Sequence, residues 1–165
     1  MKPSTKKLDK KREVAGDIAG YLIENGLSDS GIRSLAKAAN ISDRMLIYYF
    51  ESKESAIAEA LELIAATLAE QLEAVIPAQS LSAPDLLEQL TQAGKSTAFR
   101  PVIRLWFELV GLAVRGEQPY RDSVRMMASN WQLWISLKLR KGSRHQAEDI
   151  FAQLEGRLML DQLLS

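Results

Sequence analysis

The sequence predicts an all-α protein, and three observations support this fold class. Apolar residues recur at steps of three and four along every long segment, as they do on one face of a helix. No segment keeps the two-residue alternation of a half-buried strand. Nine glycines and five prolines in 165 residues are too few for an all-β chain with many tight turns. A chain of this length has room for one domain or two small helical layers.

Two helices are predicted before residue 40. The first carries Val14, Ile18 and Leu22 on one apolar face and ends at Gly26, because glycine readily adopts the left-handed conformation that terminates helices. The second is expected over Ser30–Ala39, with Ser30 as its N-cap. Its inward-facing residues are Leu35, Ala36 and Ala39.

A short third helix over 43–50 and a long fourth helix over 54–76 are predicted next. The fourth ends before Pro77, since a helix seldom continues up to the residue before a proline. Its apolar stripe consists of Ile57, Leu61, Ile64, Leu68, Leu72 and Val75. Residues 77–84, with two prolines and two serines, are predicted to be a linker. Four further helices are expected near 85–95, 100–115, 119–141 and 144–164.

Composition excludes several classes of function. The chain has no cysteine and a single histidine, His145, so disulfide frameworks, thiolate chemistry and multi-histidine metal sites are not expected. We therefore predict a binding protein without a cofactor rather than an enzyme. No apolar run reaches the roughly 18 residues that span a bilayer, and the basic start is not followed by the apolar segment of a signal peptide. We therefore expect a cytoplasmic protein without a membrane partner.

The net charge is zero, but the first twelve residues carry six lysines and arginines against Asp9 alone. Such a basic arm can bind an anionic polymer or surface, or it can be a solvated terminus.

The second and third predicted helices have the layout of a helix-turn-helix, in which the last helix lies in the DNA major groove. Asn40 can supply the left-handed turn residue, less comfortably than glycine would. Ser42 can cap the following helix and leave the N–H groups of its first turn free for phosphate. Short turns of this kind also occur in ordinary helical bundles, so the layout alone leaves both interpretations open.

Three segments match a known family at fixed offsets. The stretches Leu22 to Gly26 (LIENG), Ile32 to Ser42 (IRSLAKAANIS) and Leu46 to Glu54 (LIYYFESKE) resemble the DNA-binding region of TetR/AcrR-family transcriptional regulators. The resemblance covers about residues 10–62. It implies a helix-turn-helix DNA-binding domain over 1–53, joined by a long helix to a helical ligand-binding and dimerisation domain over 54–165.

The chain departs from the family pattern at four positions. Asn40 replaces the usual turn glycine, and Ile47 replaces the first aromatic residue of the family's Tyr-x-Tyr-Phe motif. Arg44 and Met45 stand where the family has small residues early in the recognition helix.

The resemblance and the chemistry of the side chains together predict the DNA contacts. Arg44 is the candidate for reading guanine, because arginine can bond the O6 and N7 atoms bidentately. Tyr48 and Tyr49 match positions that reach phosphates, although one of them can pack on the first helix instead. Lys53 matches a phosphate-contacting lysine, and Asp43 either accepts from cytosine or favours its helix N-terminus. The predicted DNA-binding residues are Lys6, Lys7, Arg33, Ser42, Asp43, Arg44, Met45, Ile47, Tyr48, Tyr49 and Lys53, whereas Leu46 and Phe50 are expected in the core.

Lys6 and Lys7 are expected in the basic arm, where they either follow the DNA backbone or enter a minor groove. The alternative is that they are disordered and add only nonspecific attraction.

The last two predicted helices carry broad apolar stripes, which favour self-association of two copies through a four-helix bundle. The predicted interface residues are Trp134, Phe151, Leu154 and Leu158. The alternative is that both helices simply cover the core of one copy.

An effector pocket among the fourth to seventh helices is expected to be lined by Phe99, Trp106, Phe107, Met126, Met127 and Trp131, although such a set is more often plain core. The sequence thus predicts a homodimeric regulator of a near-palindromic DNA site, a repressor released by a small apolar or amphipathic effector. The alternative is a helical protein-interaction or nucleoid-organising protein that binds DNA loosely and has no effector.

Overall fold

The structure is a computed structural model, and it describes residues 5–118 and 120–165. Within these residues the chain forms eight α-helices and one 3-10 helix, and its only strand-like pairing is an isolated parallel bridge between Leu81 and Leu139. The predicted all-α fold class is confirmed. The chain divides into two compact units, Met1–Thr67 and Leu68–Ser165.

The first unit contains three helices and most of a fourth. They are α1 (Thr5–Asn25), α2 (Ile32–Ala38), α3 (Asp43–Phe50) and the part of α4 (Lys53–Val75) that precedes Leu68. Each helix contributes side chains that are at most 2% exposed: Val14, Ile18, Leu22, Leu35, Leu46, Phe50, Ile57 and Leu61. The predicted core positions of α1 to α3 are therefore confirmed.

The start of α2 differs from the prediction. Ser30 is buried, and its hydroxyl donates to the carbonyl oxygen of Leu27. Gly31 occupies the N-cap position without a side-chain hydrogen bond. The prediction that Ser30 caps this helix is wrong, because its hydroxyl closes the preceding loop instead.

The second unit contains the end of α4 and the remaining helices. They are α5 (Ala83–Lys95), α6 (Arg100–Val114), α7 (Tyr120–Lys138), the 3-10 helix (Lys141–Gln146) and α8 (Ala147–Leu164). Their core consists of Leu72, Ile76, Leu86, Leu87, Leu90, Phe99, Ile135, Leu139, Ala147 and Ile150.

Three helix boundaries differ from the prediction in this unit. Helix α8 begins at Ala147 rather than near residue 144, because Lys141–Gln146 form the 3-10 helix. Helix α5 begins inside the predicted linker, because Ser82 accepts from the Asp85 N–H at 3.3 Å and Pro84 is tolerated in a first helical turn. Helix α7 ends at Lys138, three residues early, where Leu81 forms backbone hydrogen bonds with Lys138 and Arg140. Position 119, where that helix is expected to begin, lies outside the described residues.

The end of α4 is also shifted by one residue. Val75, predicted in the apolar stripe, is 58% exposed, whereas Ile76 is 2% exposed and joins the core. The chain leaves helical geometry at this point, so the next apolar side chain turns inward.

Candidate nucleic-acid interface

The turn between α2 and α3 has the geometry that a helix-turn-helix requires. Asn40 has φ of 51°, in the left-handed region predicted for it. The Ile41 N–H bonds to the Ala36 carbonyl at 2.9 Å, and the Asn40 N–H bonds to the Lys37 carbonyl at 3.1 Å. This pair of bonds is a Schellman motif, which satisfies the last carbonyls of α2. Ala39 and Ser42 are thus separated by only two residues.

Helix α3 is capped as predicted. The Ser42 hydroxyl accepts from the Met45 N–H at 3.2 Å, and Asp43 lies in the first turn, where the helix dipole favours a carboxylate. The other N–H groups of that turn point away from the helix without an intrahelical acceptor, as at any helix start.

The two faces of α3 differ sharply in burial. Leu46 and Phe50, one turn apart, are at most 1% exposed and anchor the helix in the core. Arg44 and Tyr48 project from the opposite face, and Tyr48 is 57% exposed. Arg44 has no ion-pair partner in the part of the chain that is described. The helix therefore presents an arginine and a tyrosine to solvent on a rigid, short support.

The two tyrosines occupy different environments. Tyr49 is half-buried, with its ring edge-on to Tyr48 at 5.4 Å and to Phe50 at 6.5 Å between centroids. Tyr48 is the more exposed of the pair, and its hydroxyl is free to reach a ligand. Tyr49 is the more buried of the two, with ring contacts to residues of α3, and the alternative that one tyrosine packs on the first helix stays a prediction.

Basic side chains of α1 lie beside α3. Residues 5 to 12 are helical, so Lys6 and Lys7 belong to the first turns of α1 and not to an extended arm. The Lys7 ammonium lies 4.1 Å from the centre of the Tyr48 ring. Lys11 contacts the Phe50 ring and pairs with Glu59. Residues 1–4 of the predicted arm lie outside the described residues.

Three other cations near this face are held by exposed carboxylates. Arg33, with a side chain that is 93% exposed, lies 3.9 Å from Asp43, and Lys53 lies 3.7 Å from Glu54. Lys10 bonds Glu13 at 2.7 Å, which raises the pKa of Lys10 because the hydrogen bond stabilises its charged form. Exposed pairs of this kind contribute little to stability, so these cations remain available to phosphate.

The predicted effector residues do not share one environment. Phe99 is buried in the core of the second unit and Trp131 packs against the same core, whereas Met126 is 44% exposed. Met127 is buried, and Trp106 and Phe107 are half-buried. A groove of about 700 Å³ lies instead between α5 and α8. None of the six predicted residues lines this groove.

The predicted interface residues are largely directed into their own unit. Trp134, Phe151 and Leu154 are partly buried against the core. Leu158 is 5% exposed and meets Gly94, where a Cβ atom would lie 2.6 Å from a Leu158 methyl. A second apolar stripe is exposed instead. It comprises Met126, Leu133 and Leu137 on α7 with Met159, Leu160, Leu163 and Leu164 on α8.

Two polar contacts of the second unit were not predicted. The Lys138 ammonium is 3% exposed and bonds both the Ile76 carbonyl and the Glu73 carboxylate at 2.7 Å. The bond from Lys138 lowers the pKa of Glu73. No sequence signal separates this buried lysine from an exposed one.

The second unpredicted contact joins α6 to α8. The Trp106 indole N–H donates to the Glu155 carboxylate at 2.8 Å. Burial raises the pKa of Glu155, and this hydrogen bond opposes the shift.

Among the residues described, none of the helices is long and apolar enough to cross a bilayer. The described side chains also contain no cluster of three histidine, aspartate or glutamate residues that could hold a metal ion.

Comparison with known proteins supports the fold. The chain is similar to the crystal structure of a transcriptional regulator from Rhodococcus sp. Rha1, with a TM-score of 0.67 and 19% identity, covering 90% of this chain and 81% of that one. A regulator assigned to the TetR family, from Mesorhizobium loti, gives a TM-score of 0.47 and 14% identity over 98% of both chains. No protein-family model matches the chain, and no curated protein matches its sequence.

At this level of identity the likeness concerns the fold. The chain shares its fold with the Rhodococcus structure, which agrees with the all-α fold class that the sequence predicts.

Proposed function

We propose that the protein is a sequence-specific DNA-binding transcriptional regulator that reads base edges with α3. The observation that carries this proposal is the exposed face of α3. It presents Arg44 and Tyr48 to solvent on a Ser42-capped helix that follows a left-handed turn at Asn40. Arginine can bond guanine bidentately in the major groove, and a helix of this diameter fits that groove.

Cations of the neighbouring helices fit a phosphate backbone beside the reading face. Lys7 approaches from α1, Arg33 from α2 and Lys53 from the start of α4. Phosphate contacts of this kind orient a protein on the duplex without selecting sequence. We further propose that the protein binds DNA without catalysis and does so in the cytoplasm.

The regulator acts as a homodimer in this proposal. The exposed stripes on α7 and α8 are large and apolar, and a second copy related by a two-fold axis would cover both. Trp134, Phe151 and Leu154 pack partly buried against the core of their own unit, and their exposed edges would add to the interface in this proposal. Two recognition helices would then meet successive major grooves, about 34–36 Å apart, over a near-palindromic site.

An effector acts on the second unit in this proposal. Trp106, Phe107 and Trp131 are half-buried and offer aromatic surface to a small apolar or amphipathic molecule. Helix α4 contributes residues to both units, so a shift of this helix would reach the DNA-binding one. Such a ligand releases DNA, and so relieves repression, only if it binds the released conformation more tightly.

Selection of duplexes from a random pool, at physiological salt and with bulk competitor DNA, tests the proposed function. We expect enrichment of a near-palindromic sequence that binds about a thousandfold or more tighter than bulk DNA. Arg44→Glu should abolish enrichment, because it places a negative charge on the reading face without touching the core. Lys141→Glu makes the same charge change on an exposed residue of the second unit and should leave enrichment intact.

Circular dichroism shows whether each variant is folded. A folded wild-type protein that enriches no sequence would overturn the proposal. If its DNA binding is also weak and lost with rising salt, the alternative of a loosely binding nucleoid-organising protein is favoured.

A further inference from the structure

The reading face of α3 also carries two large apolar side chains. Met45 is 37% exposed and Ile47 is 40% exposed. Successive residues of a helix are about 100° apart, so Met45 and Ile47 flank the line through Arg44 and Tyr48 on opposite sides. The core residue Leu46 lies between them in sequence but on the buried face.

More than a third of each of these two residues is exposed to water rather than buried in the core of the unit. Leaving apolar surface in water is unfavourable, and burying it in a complex recovers about 25 cal/mol for each Å². A ligand that fits this face therefore combines apolar groups with negative charge. Negative charge is favoured because Arg44 lies on this face, Lys7 lies over the Tyr48 ring, and Arg33 lies beside Asp43 at the start of α3.

The DNA major groove presents one apolar group to a bound protein, the C5-methyl group of thymine. We propose that Met45 and Ile47 contact thymine methyl groups on the two sides of the base pair that Arg44 reads. The preferred half-site then contains T·A pairs on both sides of a G·C pair. This inference rests on the proposed function and names the bases that the same site recognises.

Deoxyuridine provides the test, because it pairs like thymine and lacks only the C5-methyl group. The probe is the duplex enriched from the random pool, resynthesised with deoxyuridine at one thymine at a time. Loss of one buried methyl should weaken binding about fourfold at each of the two contacted positions of either half-site. Thymines outside the half-sites should tolerate the exchange.

Two protein variants assign the contacts to their side chains. In Ile47→Ala the ratio of thymine to deoxyuridine affinity should fall to about one at one position, and in Met45→Ala at the other. Both residues are exposed, so neither variant removes a core side chain. Val114→Ala is the matched control, since Val114 is an exposed apolar residue of α6 in the second unit.

The possible outcomes separate this inference from the proposed function. Failure to enrich any sequence overturns the proposed function itself. Enrichment followed by equal affinity for thymine and deoxyuridine at every half-site position overturns only the methyl contacts. A ratio that both alanine variants leave unchanged shows that other side chains read the methyl groups, which also overturns the inference.

Discussion

The Lys7 ammonium lies 4.1 Å from the centre of the Tyr48 ring, so the first turns of α1 meet the exposed face of α3. A cation at this distance from an aromatic face is attracted by the ring quadrupole. The contact holds a positive charge near the tyrosine hydroxyl. A phosphate oxygen at this place would accept hydrogen bonds from both the ammonium and the hydroxyl.

Lys7→Ala should weaken binding to all duplexes by a similar factor. Lysine contacts to phosphate carry no sequence information, and each releases about one counterion, so the slope of log affinity against log salt should fall by about one. Lys53→Ala should behave in the same way. The measurement is DNA affinity at several salt concentrations, with Lys141→Ala as the control. A loss confined to the preferred duplex would contradict the assignment of these lysines to phosphate.

The turn before α3, its cap and its core positions could be predicted from neighbouring residues, because no other group competes for the same hydrogen bonds. Asn40 and Ser42 adopt the turn and cap conformations that their side chains favour, and Leu46 and Phe50 follow from the helical period. Ser30 was assigned wrongly because the carbonyl of Leu27 competes for its hydroxyl. Such competition depends on the loop conformation, which the sequence pattern does not contain.

Long-range packing was less predictable. Apolar stripes on α7 and α8 are visible in the sequence, but the pattern does not show which stripe faces the unit's own core. Leu158 packs against Gly94 inside the unit, whereas Leu133 and Leu137 are exposed. The burial of Lys138 could not be predicted. Its acceptor, the Ile76 carbonyl, follows the end of α4, 62 residues away in sequence, and only the fold brings the two together.

Lys138→Met should destabilise the second unit by about 1–3 kcal/mol. The substitution keeps an unbranched side chain but leaves the Ile76 carbonyl without its hydrogen bond. Urea unfolding measures the change. All three tryptophans lie in this unit, so their fluorescence reports on it alone.

Glu73→Gln is the matched control for Lys138→Met. Glu73 is exposed, and Lys138 keeps its bond to Ile76 in this variant, so we expect a smaller loss. An equal loss in both variants would show that the ion pair, rather than the bond to Ile76, stabilises the end of α4.

Glu155→Gln should make the second unit more stable at neutral pH. Burial raises the pKa of Glu155 above its value in the unfolded chain, so the folded state binds its proton more tightly. The wild-type free energy of unfolding therefore falls as pH rises from the unfolded pKa through the folded one. Glutamine does not titrate, and its oxygen still accepts from Trp106.

Unfolding of both proteins from about pH 4 to pH 8 measures this difference. The free energy of unfolding of the wild type should fall relative to that of the variant as pH rises. A difference that stays constant, or one that changes in the opposite direction, would contradict a raised pKa for Glu155.

Leu133→Glu should convert the proposed dimer to monomers. Leu133 is 60% exposed in the isolated chain, and a charge there would lose its hydration in an apolar interface. Sedimentation of the variant measures the mass, and Val114→Glu, on another exposed apolar residue, should remain dimeric. A monomeric wild-type protein at concentrations that bind DNA would contradict the proposed assembly.

The central claim is that Arg44 on α3 reads a base pair. The most direct test measures the affinity of Arg44→Ala for the selected duplex and for a set of duplexes changed at one base pair each. We expect a loss of about 1–3 kcal/mol on the preferred duplex and no further discrimination at a single G·C position in each half-site. All other positions should keep their order of preference. A loss of equal size on every duplex, the preferred one and scrambled ones alike, would show that Arg44 contacts phosphate and that α3 does not read the sequence through it.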